Sequence, residues 1–338
     1  MDSAIKLMGI SYEGSDYSKG IIIFLIGAII SVLIIYVYVS LRKRTFNCDV
    51  LSKNKISSTI RPISSTTPSY NSMLKQCHIK TAYNCCCTGD FRNDYVDYCA
   101  LINCAKQGFR ALDFQIFSVD GLPVVSESTT TNKNYKEMFN HLPFNDTMSA
   151  VKRYFIQDST NCPNINDPLF LIFRINSNNI DIFTTMYNSI NALFGSANSS
   201  GNKLYVPSNS TDINTVKIKD MCGKVVIVVD VTGLTNFESS KLFKITGLKL
   251  GTLRNQIYRE NDVMSTVIND STFIAKFTND VCALYPAISS SSDNYDFVTS
   301  GINTGIQFIG LNAQTNDVYL TSYNSNYFGN YSIITKTV

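Results

Sequence analysis

Residues 81–90 read TAYNCCCTGD and place a tyrosine, an asparagine and three consecutive cysteines in one short stretch. A cysteine reacts or binds metal as the thiolate, so a nearby base or cation must lower its pKa from about 8.5. His78 or Arg174 could do this for a cysteine of the run Cys85–Cys87, whereas His78 as a satisfied core residue is the structural alternative. The other histidine, His141, lies in loop-like sequence, and no Cys/His spacing typical of zinc is present. The stretch is thus a reactive centre, a redox device, or what is left of another motif.

The composition excludes one class of partner. Charged residues make up 16% of the 338-residue chain and the formal net charge is +3, too little to create the basic field that nucleic-acid binding needs. The chain is rich in Asn, Ser, Thr, Ile and Tyr and has no Trp, a bias typical of an AT-rich genome. We therefore expect no nucleic-acid partner.

An uncharged segment near the N-terminus predicts a membrane span. Residues 20–41, GIIIFLIGAIISVLIIYVYVSL, are long enough to cross a hydrocarbon core of about 30 Å as a helix. A cleaved signal peptide is the alternative, but its apolar region is usually about 7–15 residues long. Arg42, Lys43 and Arg44 follow the segment directly, so the positive-inside rule places the bulk of the chain on the cytosolic side.

The cytosolic placement predicts the state of the ten cysteines. Seven of them lie between Cys48 and Cys104, but in a reducing cytosol we expect all to remain thiols. Cys99 and Cys104 fit a helical stripe as small core residues. The same placement leaves unused the five N-x-S/T sequons, which are at Asn145, Asn198, Asn209, Asn269 and Asn330.

The remaining sequence predicts one folded domain behind a stalk. We expect an N-terminal tail (1–19), the transmembrane helix (20–41), a basic stop and Ser/Thr/Pro stalk (42–70), and a domain (71–338). Within the domain, nearly continuous apolar runs predict buried strands at 110–117, 168–175, 224–231 and 306–311. Helical patterns at 93–108 and 180–195 lie between them. This alternation is typical of a parallel (β/α) barrel.

Several strings, in order, resemble the X and Y regions of phosphatidylinositol-specific phospholipase C. TAYNCCCTGD resembles the opening motif S-S-H-N-T-Y-L-T-G-D, and GFRALDFQIFSVDGLPVVSE (108–127) resembles G-x-R-x-x-E-x-D followed by D-G-x-P-V-V-Y-H. PLFLIFRIN (168–176), ALYPAISSSSDNYD (283–296) and GIQFIGLNAQTND (305–317) resemble the later segments. The resemblance covers roughly residues 75–330 and implies a distorted TIM barrel, preceded here by one transmembrane helix.

In that family two histidines and a calcium ion cleave a phosphodiester. The first histidine aligns with Tyr83, whose phenol donates a hydrogen bond but is not a cation at neutral pH. The second aligns with Glu127, a carboxylate that brings negative charge to the place where phosphate needs positive charge. The resemblance therefore implies that both catalytic histidines are replaced.

The positions that would bind calcium have changed as well. Asn84 is retained, Asp113 replaces a Glu, Gln115 replaces an Asp, and Arg174 stands where the third strand should offer a carboxylate. Calcium takes about 6–8 oxygen ligands, several of them charged. We therefore expect neither a bound metal nor another cofactor at this degenerate pocket.

These features lead to three functional expectations. The first is a catalytically inactive, membrane-anchored barrel that tethers a protein partner to a bilayer, and the composition suggests a minor capsid or virion membrane protein of a large DNA virus, between internal membrane and capsid. The second is a phosphoinositide headgroup-binding module in which Arg174 holds the phosphate. The third is a residual phosphodiesterase with Glu127 as base.

Overall fold

The structure is a computed structural model that describes residues 16–54, 59–130, 135–177, 179–196, 201–208, 211–266 and 271–336. The chain divides into two compact units, Met1–Phe46 and Asn47–Val338. Helix α1 (Asp16–Lys53) contributes residues to both. In the described residues, its stretch from Ser18 to Lys53 is the one helix long and apolar enough to cross a membrane. A signal sequence meets the same criteria.

The second unit is a barrel of eight parallel strands with three short additional strands. The strands are β1 (Cys77–Ala82), β2 (Ala111–Val119), β3 (Leu122–Ser126), β4 (Leu142–Pro143), β5 (Leu169–Ile175), β6 (Val225–Asp230), β7 (Thr246–Leu250), β8 (Ile257–Arg259), β9 (Ala283–Tyr285), β10 (Phe308–Leu311) and β11 (Ile333–Thr335). The parallel strands follow the order β7-β6-β5-β2-β1-β10-β9-β8. The barrel is nearly closed, with its seam between β7 and β8. The predicted fold class is therefore confirmed.

The apolar runs form these strands because both of their faces are buried. Every residue of β5 is buried, and it pairs in parallel with β2 on one side and β6 on the other. β3 and β4 extend the carboxyl end of β2 as an antiparallel hairpin, and β11 pairs antiparallel with the start of β1.

Helices surround the barrel, and two of the longer ones lie within the helical patterns predicted at 93–108 and 180–195, whereas the helix at 144–152 was not predicted. The helices are α2 (Tyr98–Lys106), α3 (Phe144–Lys152), α4 (Asp181–Phe194), α5 (Lys241–Lys244), α6 (Glu260–Thr266), α7 (Ser271–Lys276) and α8 (Val318–Ser322). In α4 the buried residues Ile182, Met186 and Ile190 recur every four positions, the spacing of one helical face. Asp97 caps α2 by accepting a hydrogen bond from the Cys99 amide.

The region predicted as a stalk differs in the structure. Helix α1 continues past Leu41 to Lys53, since residues 42–53 contain neither Gly nor Pro. Further along, Ile60 and Ile63 are buried, and the Ile63 amide donates to Asp167 Oδ1 at 2.9 Å. These two isoleucines give the Ser/Thr/Pro-rich stretch enough apolar area to pack on the barrel. The barrel unit accordingly begins at Asn47 and not at residue 71.

The prediction that all cysteines are thiols is wrong for one pair. Cys48 and Cys99 form a disulfide, with their Cα atoms 5.6 Å apart. The extended α1 brings Cys48 to the first turn of α2, where Cys99 is half-buried and does not act as a core residue. The other eight cysteines are free, and Cys104 is buried as expected.

Candidate functional site

The candidate site lies at the mouth of the barrel, where the parallel strands end. One row of paired residues crosses three strands there, because Gln115 on β2 is in register with Arg174 on β5, and Arg174 with Asp230 on β6. β1 ends just before Tyr83 and Asn84. Asn84 has a φ of 45°, a left-handed conformation that asparagine tolerates better than most residues, and its turn brings the side chain into the mouth.

Arg174 is the centre of the site. Its Nε donates to Asp113 Oδ1 at 2.9 Å and its Nη2 donates to Asp113 Oδ2 at 2.7 Å, which is a bidentate ion pair. Nη2 also hydrogen-bonds Asn84 Oδ1. Burial alone would lower the pKa of Arg174, but the Asp113 carboxylate raises it well above its ordinary value, so the guanidinium stays charged.

Glu127 lies at the edge of this cluster. Its Oε1 accepts from Gln115 Nε2 at 2.5 Å, while its Oε2 is 4.0 Å from Arg174 Nη2 and has no hydrogen-bond partner among the described residues. Burial raises the pKa of Glu127 to about 8, although the Arg174 charge opposes the shift. Glu127 is therefore largely protonated at neutral pH. Asn176 Nδ2 fixes Gln115 by donating to its Oε1 at 2.7 Å.

Two tyrosines and a second arginine complete the wall of the site. The rings of Tyr83 and Tyr285 lie 4.9 Å apart, and the Arg174 guanidinium is 4.8 Å from the centre of the Tyr83 ring. Arg259, at the end of β8, donates from Nη1 to the Tyr83 hydroxyl at 3.0 Å and to the Pro286 carbonyl at 3.1 Å. Both arginines thus contact the aromatic pair, in geometries typical of cation–π interactions.

A cavity of about 320 Å³ opens outside these residues. Arg174, Glu127 and Arg259 face it together with Asp230, and the hydroxyl groups of residues 128–130 add polar lining. The lining is about half polar and half apolar, because Tyr83, Phe91 and Ile288 also contribute to it, and it includes side chains of both charge signs.

The side-chain oxygens at the positions where the resemblance implies calcium ligands already accept hydrogen bonds within the chain. Both carboxylate oxygens of Asp113 and the side-chain oxygen of Asn84 accept hydrogen bonds from Arg174. The Gln115 oxygen accepts from Asn176, and Glu127 is largely protonated. A divalent cation placed here would meet a guanidinium and too few free oxygens, so the residues do not fit calcium.

The other residues that the sequence offered for chemistry, His78 and Cys85–Cys87, lie in the interior of the barrel unit. His78 is buried on β1, its Nδ1 lies 2.6 Å from the Ile306 carbonyl, and burial lowers its pKa to about 4, as expected for a satisfied core histidine. Cys85, Cys86 and Cys87 are all buried, and burial raises the pKa of Cys85 and Cys87 well above the ordinary value. These two thiols are therefore protonated at neutral pH and are poor nucleophiles.

All six residues predicted for the degenerate pocket lie in this one cluster. The sequence did not predict that Arg259, Asn176 and Tyr285 belong to the site. β8 has only three residues, too few to show any periodicity, so no pattern pointed to Arg259.

Comparison with solved structures supports the fold. The L. pealei PLC21 structure matches 79% of this chain at a TM-score of 0.63 and 15% identity, and S. officinalis PLC21 matches 79% at 0.61 and 15%. The calcium-dependent phosphatidylinositol-specific phospholipase C of Streptomyces antibioticus matches 79% at 0.50 and 9%. No protein-family model and no curated protein sequence matches the chain.

These similarities define a phospholipase C-like TIM barrel. The matched region spans 38% and 37% of the two PLC21 chains, and all of the Streptomyces chain. At such low identities the likeness extends to the fold and not to the activity.

Proposed function

We propose that this chain is a membrane-anchored phospholipase C-like barrel without phosphodiesterase activity, and that it tethers a protein partner to a bilayer. The observation that supports the loss of activity is the bidentate pair between Arg174 and Asp113. A guanidinium held there occupies the oxygens that would bind calcium. Tyr83 and Glu127 stand where the resemblance implies two histidines, and neither supplies a cation at neutral pH.

Helix α1 supports the anchoring. Its apolar residues from 21 to 41 are largely exposed in the unit they belong to, as expected for side chains that face lipid. We extend the proposal to a virion, where the chain would connect an internal membrane to a capsid shell. Absence of the protein from purified particles would contradict that extension, and extraction without detergent would contradict the anchoring.

The test of inactivity uses the full chain in detergent micelles with phosphatidylinositol vesicles. We expect no release of soluble inositol phosphate, with or without added calcium. Calcium-dependent release that disappears in Glu127→Gln would overturn the proposal and establish the residual phosphodiesterase instead.

A second candidate function rests on Arg259. Its two hydrogen bonds to described residues both use Nη1, and the half-buried side chain lines the cavity, so Nε and Nη2 are placed to donate to an anion. A phosphoinositide headgroup would be such a ligand. Because α1 would anchor the full chain in any vesicle, flotation does not measure headgroup binding. We would therefore titrate soluble inositol phosphate and compare wild type with Arg259→Met. Saturable binding that Arg259→Met weakens at least tenfold would favour this function.

A further inference from the structure

The last turns of α1 are attached to the barrel. Residues 47–53, which we call the docked segment, carry three kinds of contact with it. Cys48 is disulfide-bonded to Cys99, and Asn47 Nδ2 donates to Asp94 Oδ1 at 2.9 Å and contacts Thr88 Oγ1 at 3.3 Å. Leu51 is buried, with 3% of its surface exposed.

The chain is fixed to the barrel again a few residues later. Ile60 is buried, and the Arg61 amide donates to the Asn330 carbonyl at 2.7 Å. The barrel would therefore keep this second attachment if the docked segment were released. The two attachments lie at different distances along the chain from the end of the apolar span at Leu41.

We propose that the Cys48–Cys99 disulfide sets the length of the tether between the apolar span and the barrel, and that its reduction lengthens the tether. This proposal rests on the anchoring proposed above. With the disulfide intact, the tether consists of residues 42–47, and after release it consists of residues 42–59. Residues 42–53 belong to helix α1 and rise about 1.5 Å each, whereas residues 54–59 can extend to no more than about 3.6 Å each, so the maximal reach rises from roughly 9 Å to roughly 40 Å.

The chemistry is a thiol–disulfide exchange with an external dithiol as reductant. One thiolate of the dithiol attacks a sulfur of the disulfide, the Cys48–Cys99 bond breaks, and the departing thiolate takes up a proton. The second thiolate then attacks the mixed disulfide, which leaves both cysteines as thiols and the reagent as a cyclic disulfide. Both cysteines are half-buried and not enclosed, so the reagent can reach them.

Few contacts would hold the docked segment after reduction. The disulfide closes a loop between positions 51 residues apart, and such a crosslink restricts the open states of the chain. Without it, the described contacts are the hydrogen bonds of Asn47 and the burial of Leu51. We therefore expect the reduced segment to leave the barrel for a substantial part of the time.

The experiment uses the full chain in lipid vesicles that contain a fluorescent acceptor lipid. A donor dye is introduced by a non-natural amino acid at the exposed position 219, so that the cysteines stay unmodified. We expect a dithiol to reduce energy transfer to the acceptor lipid in the wild type. Cys48→Ser and Cys99→Ser should show the lower transfer with or without dithiol, whereas Cys222→Ser, which changes a half-buried free cysteine, should behave as the wild type.

Two results would overturn the proposal that reduction of the disulfide lengthens the tether. One is unchanged transfer in the wild type after mass spectrometry shows that Cys48 and Cys99 have been reduced. The other is a non-reducing peptide map in which both are free thiols before any reductant is added. Failure of the anchoring looks different, because the chain would then not float with the vesicles in either redox state, and no tether would exist.

Discussion

Replacing Arg174 by methionine tests the centre of the site. Methionine keeps an unbranched apolar side chain of similar length but removes the charge. Asp113, which is fully buried, then keeps the hydrogen bond from the Asn84 amide at 3.1 Å but loses its ion pair, and Asn84 loses the donor to its Oδ1. Breaking a buried ion pair from one side costs about 3–5 kcal/mol. We expect Arg174→Met to lower the free energy of unfolding by about 4 kcal/mol.

A double-mutant cycle with Asp113 separates the contribution of the ion pair to stability from the contribution of packing. Asp113→Asn leaves Arg174 without its carboxylate and should also cost about 3 kcal/mol. The double variant leaves no unpaired buried charge from this pair. Its loss should therefore be smaller than the sum of the single losses by about 2–3 kcal/mol, in the range measured for residues in direct contact.

The assay is urea unfolding of the full chain in detergent micelles, followed by circular dichroism, because the chain has no tryptophan. Arg254→Met is the matched control. Arg254 pairs with Asp212 and Asp280, but 57% of its side chain is exposed, so we expect a loss below about 1 kcal/mol. If Arg174→Met costs no more than Arg254→Met, the ion pair does not organise the mouth and the reasoning fails.

Three further variants test other parts of the barrel. The pKa of Glu127 is raised from 4.5 to about 8 on folding, so the stability of the wild type should fall as the pH rises between these values. In urea unfolding, the stability of Glu127→Gln should match that of the wild type near pH 4.5 and exceed it by about 2–4 kcal/mol at pH 8. A Cβ on Gly89 would lie 2.5 Å from Asp94 Oδ2, so Gly89→Ala should lower stability by about 1–3 kcal/mol, and an unchanged urea midpoint would show that the loop yields freely. Arg110 is buried and donates to the carbonyls of residues 155, 167 and 168, so Arg110→Met should cost about 3 kcal/mol or more and raise the pKa of Asp167 above its value of about 6, as measured by the pH dependence of unfolding.

The fold could be predicted because parallel strands buried on both faces leave long apolar runs. β2, β5 and β6 are such strands, and the predicted bounds of all three agree with the structure within about two residues. β8 and β9 have three residues each, and a run this short has no periodicity that distinguishes it from loop. Arg259 went unnoticed for that reason.

The clustering of the six positions could be predicted because the resemblance fixed their alignment, and the barrel places aligned positions at one end. The attachment of residues 47–63 could not be predicted in the same way. Whether a short polar stretch is a stalk or packs on a domain depends on what surface is available to residues such as Ile60 and Ile63. The Cys48–Cys99 pair likewise depends on α1 continuing beyond the basic residues, which local composition does not decide.

A buried carboxylate such as Asp113 needs a positive partner, and the identity of that partner has a measurable consequence. A calcium ion would stabilise the folded barrel by RT ln(1 + [Ca²⁺]/Kd), about 2.7 kcal/mol at a concentration of 100 times Kd. Arg174 supplies its charge from within the chain at 2.7–2.9 Å from both oxygens, so its contribution is independent of any ion in solution. We therefore expect the midpoint of thermal unfolding to be the same in excess calcium and in excess chelator, as measured by circular dichroism. A calcium-dependent rise of several degrees would mean that an ion binds the folded chain, and a rise that Asp113→Asn abolishes would place that ion at the mouth.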